Sequence, residues 1–181
     1  VQERAIAPIL DGERDVILAA ATAAGKTEAA FLPICSRLVG DETPSVRALY
    51  VSPLKALIND QFGRLEDLCD DLGIPVHRWH GDVAAGSKRR VLERPSGILL
   101  ITPESLESLF VNHGTRLGTT FVDLGWAVLD ELHAYVGTER GRQLQSLLHR
   151  LELVLRKRVP RIGLSATLGD MGLAAEYLRP S

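Results

Sequence analysis

Asp15-Val-Ile-Leu-Ala-Ala-Ala-Thr-Ala-Ala-Gly-Lys-Thr-Glu-Ala-Ala-Phe-Leu32 joins a short apolar run, a loop of small residues and the opening of a helical segment. Further runs of β type follow at Val46-Arg-Ala-Leu-Tyr-Val51, Pro75-Val-His-Arg-Trp79, Gly97-Ile-Leu-Leu-Ile101, Trp126-Ala-Val-Leu-Asp130 and Arg161-Ile-Gly-Leu164. Several are almost wholly apolar, as strands covered on both faces must be. Between them lie segments of helical period. Leu54, Leu57, Ile58, Phe62, Leu65, Leu68 and Leu72 form one stripe, and Leu144, Leu147, Leu148, Leu151 and Leu155 another. The acidic residues around Asp60 to Asp71 fall mostly off the first stripe and read as a solvated face. Alternating strand and helix predicts a three-layer α/β domain, with a mostly parallel sheet and helices on both faces. In such sheets ligands bind outside the carboxyl ends of the strands, so residues just after each run are the candidates for function.

Composition narrows the class. The chain has 181 residues, 45% hydrophobic and 24% charged, which suits one globular domain and excludes disordered, collagenous and disulfide-scaffold classes. No apolar run approaches the roughly 20 residues of a membrane-spanning helix. The opening Val1-Gln2 carries no targeting signal. Cys35 and Cys69 sit in apolar contexts without zinc spacing, so they are expected as buried thiols in a reducing cytoplasm. A net charge of -2 means that any contact with nucleic acid must come from local groups. With 4 Phe, 3 Tyr and 2 Trp and no interleaved basic pattern, a base-stacking platform is not expected.

Two motifs carry chemistry. The loop Ala20-Ala-Thr-Ala-Ala-Gly-Lys-Thr27, between strand and helix, has the context of a phosphate-binding Walker A loop. Small residues let backbone amides approach phosphate oxygens, and the helix start adds a favourable dipole. Lys26 would reach the β- and γ-phosphates and Thr27 would hold Mg²⁺. Ala20 stands where a first glycine is usual, which restricts the loop to conformations open to residues with a Cβ. The second motif is Asp130-Glu-Leu-His133, at the end of an apolar run. Paired acids there need a cation or a proton to manage them. Asp130 would coordinate Mg²⁺ and Glu131 would orient and polarise the attacking water. An ordinary turn and a solvated strand end are the plain readings of each motif alone. Together they point to a nucleoside-triphosphatase.

In order along the chain, these two motifs and Ser165-Ala-Thr167 resemble motifs I, II and III of the superfamily 2 DExH-type (DEAD/DEAH-box-like) helicases. Gln2-Glu-Arg-Ala-Ile-Ala-Pro-Ile-Leu-Asp-Gly12 resembles their Q motif, Ser52-Pro-Leu-Lys-Ala-Leu57 motif Ia, and Thr102-Pro-Glu-Ser-Leu106 motif Ib. Pro53 to Leu57, Trp79-His-Gly-Asp82 and His133-Ala-Tyr-Val-Gly-Thr-Glu-Arg-Gly141 resemble the large helicase-related family in particular.

The resemblance implies a RecA-like P-loop NTPase domain over residues 1–181, with ATP and Mg²⁺ as ligands. A second RecA-like domain, absent from this chain, would close over the nucleotide. Gln2 would read adenine, Thr22, Ala23, Ala24, Gly25, Lys26 and Thr27 would cradle the phosphates, and Thr27 and Asp130 would hold the metal. Lys26, Asp130, Glu131 and His133 would be catalytic. Ser165, Ala166 and Thr167 would relay nucleotide occupancy to the nucleic-acid face. That face would use Pro53, Leu54 and Lys55, His80 and Gly81, and Thr102, Pro103 and Glu104, gripping the DNA or RNA backbone without base preference. Arg140 and Arg142 are secondary candidates. The trio Lys88, Arg89 and Arg90 reads either as a phosphate contact or as a solvated helix face. His77, His113 and His149 read as structural. A small P-loop kinase or GTPase, and a binding module with a vestigial nucleotide site, remain as alternatives. Without a partner domain the fragment is expected to be weakly active or inactive.

Overall fold

The computed structural model describes residues 2–19, 25–166 and 170–180, and only the backbone of Gln2 and Arg4. Six strands, β1 (Val16–Ala19), β2 (Ala48–Val51), β3 (Val76–Trp79), β4 (Ile98–Ile101), β5 (Trp126–Leu129) and β6 (Arg161–Ser165), form one sheet in the order β1-β6-β5-β2-β4-β3. Every pairing is parallel, so the expected mostly parallel sheet is wholly so among the described residues. The register sets Ala19 beside Ser165, and Val51 beside both Leu129 and Ile101. The strand ends therefore align along one edge.

The central strands are apolar because each alternate side chain enters a different core. Leu49, Val51, Leu99, Ile101, Ala127 and Leu129 face one layer of helices: α5 (Pro103–His113), α7 (Glu139–Leu155) and α8 (Met171–Leu178). Ala48, Tyr50, Ile98, Leu100, Trp126 and Val128 face the other, made of α1 (Gln2–Asp11), α2 (Lys26–Leu38) and α3 (Lys55–Asp70). Two shorter helices, α4 (Ala85–Glu93) and α6 (Leu117–Thr120), complete the order. The α7 stripe is buried at Leu144, Leu147, Leu148 and Leu151, as its period predicts. The α3 stripe needs correction. Leu54 precedes the helix and Leu72 follows it, both are exposed, and the face packed on the sheet is Ile58, Gln61, Leu65 and Cys69. The helix ends truncated a leucine pattern that continued into flanking turns. Cys35 and Cys69 are buried free thiols, their sulfurs 3.7 Å apart between α2 and α3. No helix among the described residues is long and apolar enough to cross a membrane.

At the amino edge of the sheet, an ion network ties four elements together. Arg161, buried at the start of β6, donates from Nη2 to Glu152 Oε2 at 2.8 Å and from Nη1 to the Leu178 carbonyl at 2.8 Å. Arg179 donates to Asp15 Oδ2 at 2.5 Å and to Glu152 Oε1 at 3.0 Å, joining the end of α8 to the chain entering β1. Burial opposes ionisation of Asp15 and Glu152, but hydrogen bonds from Arg179 and the nearby guanidinium charges win and hold both carboxyls below their ordinary values. A carboxyl depressed in the folded state stabilises it above the unfolded pKa, and that stabilisation is lost as pH falls through the folded value. Thermal melts should therefore show stability declining below about pH 4, where free carboxylates begin to protonate. Glu152→Ala would leave Arg161 buried without its carboxylate, and should cost about 3 kcal/mol or more in denaturant unfolding at pH 7 and flatten the acid decline.

Candidate functional site

The carboxyl edge carries two clefts. The first, a cavity of about 300 Å³, is lined by Gly25, Lys26 and Thr27 from the start of α2, Asp130 and Glu131 after β5, and Leu57, Gln61 and Arg64 of α3. Gly25 adopts φ 63° and ψ 38°, a left-handed conformation that turns the chain into α2. Its carbonyl accepts the first helical bond, from the Ala29 amide at 2.9 Å. The helix thus begins at Lys26, with its amino terminus at the cavity, and its dipole favours an anion there. Glu28, in the same first turn, is ion-paired with Arg64. Thr22, Ala23, Ala24 and Thr167 lie outside the described residues, as does the side chain of Gln2.

Asp130 directly follows β5 and is buried, at 8% exposure. Burial pushes its carboxyl above the ordinary value. The hydrogen bond donated by Tyr50 Oη to Oδ2, the Glu131 amide and the nearby Lys26 charge all oppose that rise. Glu131 has φ 51° and ψ 48°, a left-handed conformation strained for any residue with a Cβ and worth about 1–3 kcal/mol. The kink breaks the strand and starts a short 3₁₀ turn, Leu132–Ala134. It turns Glu131 towards His133, whose Nε2 lies 3.3 Å from Glu131 Oε2. The other ring nitrogen, Nδ1, is 3.1 Å from Ser165 Oγ at the end of β6. His133 therefore stands between Glu131 and Ser165, hydrogen-bonded to the serine and in close polar contact with the carboxylate, and Ala166 follows Ser165 half-buried. Leu132 makes that kink fit. An added Cβ at Gly163 would lie 2.7 Å from Leu132 Cδ2, so any larger residue there would force the buried leucine to shift.

The second cleft, about 480 Å³, is lined by Pro53, Leu54, Lys55, Gly81, Thr102 and Glu104, with Trp79, Lys88, Ser105 and Ser108. Residues expected from three separate loops converge there. Helix α3 begins at Lys55, and α5 begins at the buried Pro103, capped by Thr102 Oγ1 accepting from the Ser105 amide at 3.4 Å. Two helix starts thus open on one cleft. His80 is placed differently: it is buried at 3% exposure, with Nε2 3.0 Å from Asn59 Oδ1, and lines a separate cavity beside β3 rather than this cleft. Arg140 serves as a clamp. It grips Glu104 at 2.6 and 3.0 Å and donates to the Pro53 carbonyl at 2.6 Å, binding the two loops together and neutralising the one carboxylate that lines the cleft. Arg142 is exposed. Of the basic trio only Lys88 reaches this cleft. Arg89 pairs with Glu93, and Arg90 lines a separate cavity beside β3. His77 is paired with Ser96, His113 packs edge-on against Trp79, and His149 is exposed.

The family model for the DEAD/DEAH box helicase matches residues 1–173. The chain belongs to that family. The ATP-dependent helicase Lhr-Core of Saccharolobus solfataricus is 31% identical over 97% of this chain and 22% of its own length. The Lhr helicase/uracil glycosylase of Escherichia coli is 32% identical over 90% of this chain and 12% of its own. Among solved structures, the helicase MrfA bound to DNA and AMPPNP superposes with a TM-score of 0.85 at 29% identity, covering 98% of this chain and 25% of that one. Lhr of Mycobacterium smegmatis bound to single-stranded DNA and AMP-PNP gives 0.81 at 31% identity, over 94% and 23%. The fold is accordingly RecA-like, and this chain spans about a quarter or less of each of these four proteins.

Sequence reasoning missed Tyr50, Gln61, Gly163 and the clamping role of Arg140. Tyr50 left a trace: a hydroxyl inside a buried strand needs a partner. Gly163→Ala should push Leu132 aside and disturb Glu131 and His133. Unfolding should show a loss of about 1–3 kcal/mol, and steady-state kinetics a fall in kcat greater than any rise in KM. An unchanged kcat in a destabilised protein would assign Gly163 to packing alone.

Proposed function

We propose that this domain binds and hydrolyses ATP with Mg²⁺ and couples the cycle to movement along DNA or RNA, acting with a second RecA-like domain elsewhere in the protein. The observation that carries the reading is the meeting of Gly25, Lys26, Thr27, Asp130 and Glu131 in one cavity, on the sheet edge that also holds the second cleft. The similar proteins bound to nucleotide analogue and DNA support it, as does the small share of their length that this chain spans.

Lys26 and the first amides of α2 bind the β- and γ-phosphates. The residues present fit Mg²⁺: the Thr27 hydroxyl and the Asp130 carboxylate are hard oxygen donors on the same cavity, and such sites need few protein ligands beside substrate phosphates. When bound, the ion neutralises charge that develops on the phosphates. Glu131 orients the attacking water and accepts its proton as the water oxygen bonds to the γ-phosphorus, while the bond from that phosphorus to the β,γ-bridging oxygen breaks and ADP leaves with the electron pair. His133 holds Glu131 and carries its position to Ser165. In the second cleft, the starts of α3 and α5, Lys55 and Lys88 bind phosphates of the nucleic-acid backbone, so affinity is indifferent to base sequence and falls with salt.

In the full-length protein Lys26→Ala should abolish ATP turnover. Glu131→Gln should lower kcat about a hundredfold or more while ATP stays bound, since general bases contribute on the order of 10²–10⁴. Turnover by Glu131→Gln at the unmutated rate would remove the assigned role. Residues 1–181 alone should show little stimulation of turnover by nucleic acid.

A further inference from the structure

Tyr50 lies in the middle of the sheet, fully buried between Leu100 of β4 and Val128 of β5. A phenylalanine would fill the same space without burying a hydroxyl, which costs several kcal/mol when unpaired. The partner is Asp130, 80 residues away in the chain, whose Oδ2 accepts from Tyr50 Oη. The backbone of Asp130 is fixed to the same strand, its amide donating to the Val51 carbonyl at 2.9 Å. On the other side the Tyr50 ring packs against Phe31 of α2, with centroids 5.9 Å apart. That helix begins with Lys26 and Thr27. One side chain thus touches the carboxylate at the end of β5 and the helix that carries the phosphate-loop lysine and threonine.

We propose that Tyr50 is a positioning residue for the metal site: its hydroxyl fixes the Asp130 carboxylate by one oxygen and leaves the other to face the cavity shared with Thr27. The inference rests on the reading of the cavity as a Mg²⁺–nucleotide site. Magnesium demands nearly ideal octahedral geometry, so a carboxylate free to rotate holds it, or its waters, less well. Partners that orient a ligand in this way typically change metal affinity by about 10–100-fold. Tyr50 touches neither nucleotide nor water in this scheme and acts only through Asp130.

The test is Tyr50→Phe in the full-length protein, read by fluorescence titration of mant-ADP at a series of Mg²⁺ concentrations. The Mg²⁺ midpoint should rise by about tenfold or more, while mant-ADP affinity in EDTA stays as in the unmutated protein. In an Asp130→Asn background, adding Tyr50→Phe should produce no further shift. A Tyr50→Phe protein whose Mg²⁺ curve superposes on the unmutated one, whatever its melting temperature, would overturn the proposal. If the unmutated protein itself shows no Mg²⁺-dependent nucleotide binding, the underlying reading fails instead. Should Tyr50→Phe not fold, a crystal structure of the unmutated protein with Mg²⁺ and AMP-PNP decides. The Tyr50–Asp130 hydrogen bond kept beside the ion supports the role, and a hydroxyl turned away from Asp130 contradicts it.

Discussion

Six strands running in one direction must all end along one edge, and each helix that follows them must start there. Parallel pairing thereby collects the least satisfied backbone groups of the domain, the free amides of helix starts, on a single face. The structure divides that face in two. Strands β1, β6 and β5 deliver Gly25 to Thr27, Ser165, and Asp130 with Glu131. Strands β2, β4 and β3 deliver Pro53 to Lys55, Thr102 to Glu104, and Gly81. Neighbouring β5 and β2 lie at the boundary, so whatever occupies one cleft is one strand away from the other.

The two edges of the sheet have different physical character. At the amino edge, Arg161, Glu152, Arg179 and Asp15 satisfy one another and lock β1, β6, α7 and α8. At the carboxyl edge, Glu131 has a left-handed backbone and Asp130 is buried against its ionisation. Strain and desolvation of this kind persist only where the surrounding packing fixes them. Here the supports are identifiable: Leu132 seated against Gly163, Tyr50 on Asp130, and His133 between Glu131 and Ser165.

Much of this was legible in the sequence. All six strands stand where runs of β type occur in the sequence, and the central β5, β2 and β4, buried on both faces, show no polar alternation. That candidate residues following different strands would lie together was legible because parallel topology brings strand ends to one edge. What stayed hidden depends on tertiary distance. Tyr50 reads as one more core aromatic until Asp130 is seen beside it, and Arg140 as a surface cation until Glu104 and the Pro53 carbonyl are found around it. His80 shows the converse: a polar residue in a promising loop, yet folded inward onto Asn59. The exposed Leu54 and Leu72 show that helical period alone does not mark where a helix begins and ends.

The central claim is that one sheet edge holds a nucleotide site and a nucleic-acid site that act on each other. Its most direct test is the affinity of the full-length protein for AMP-PNP, with and without a saturating single-stranded oligonucleotide. Coupled sites should show affinity raised about fivefold or more, and AMP-PNP should tighten oligonucleotide binding by the same factor, as linkage requires. Equal AMP-PNP affinity with and without the oligonucleotide would contradict the account.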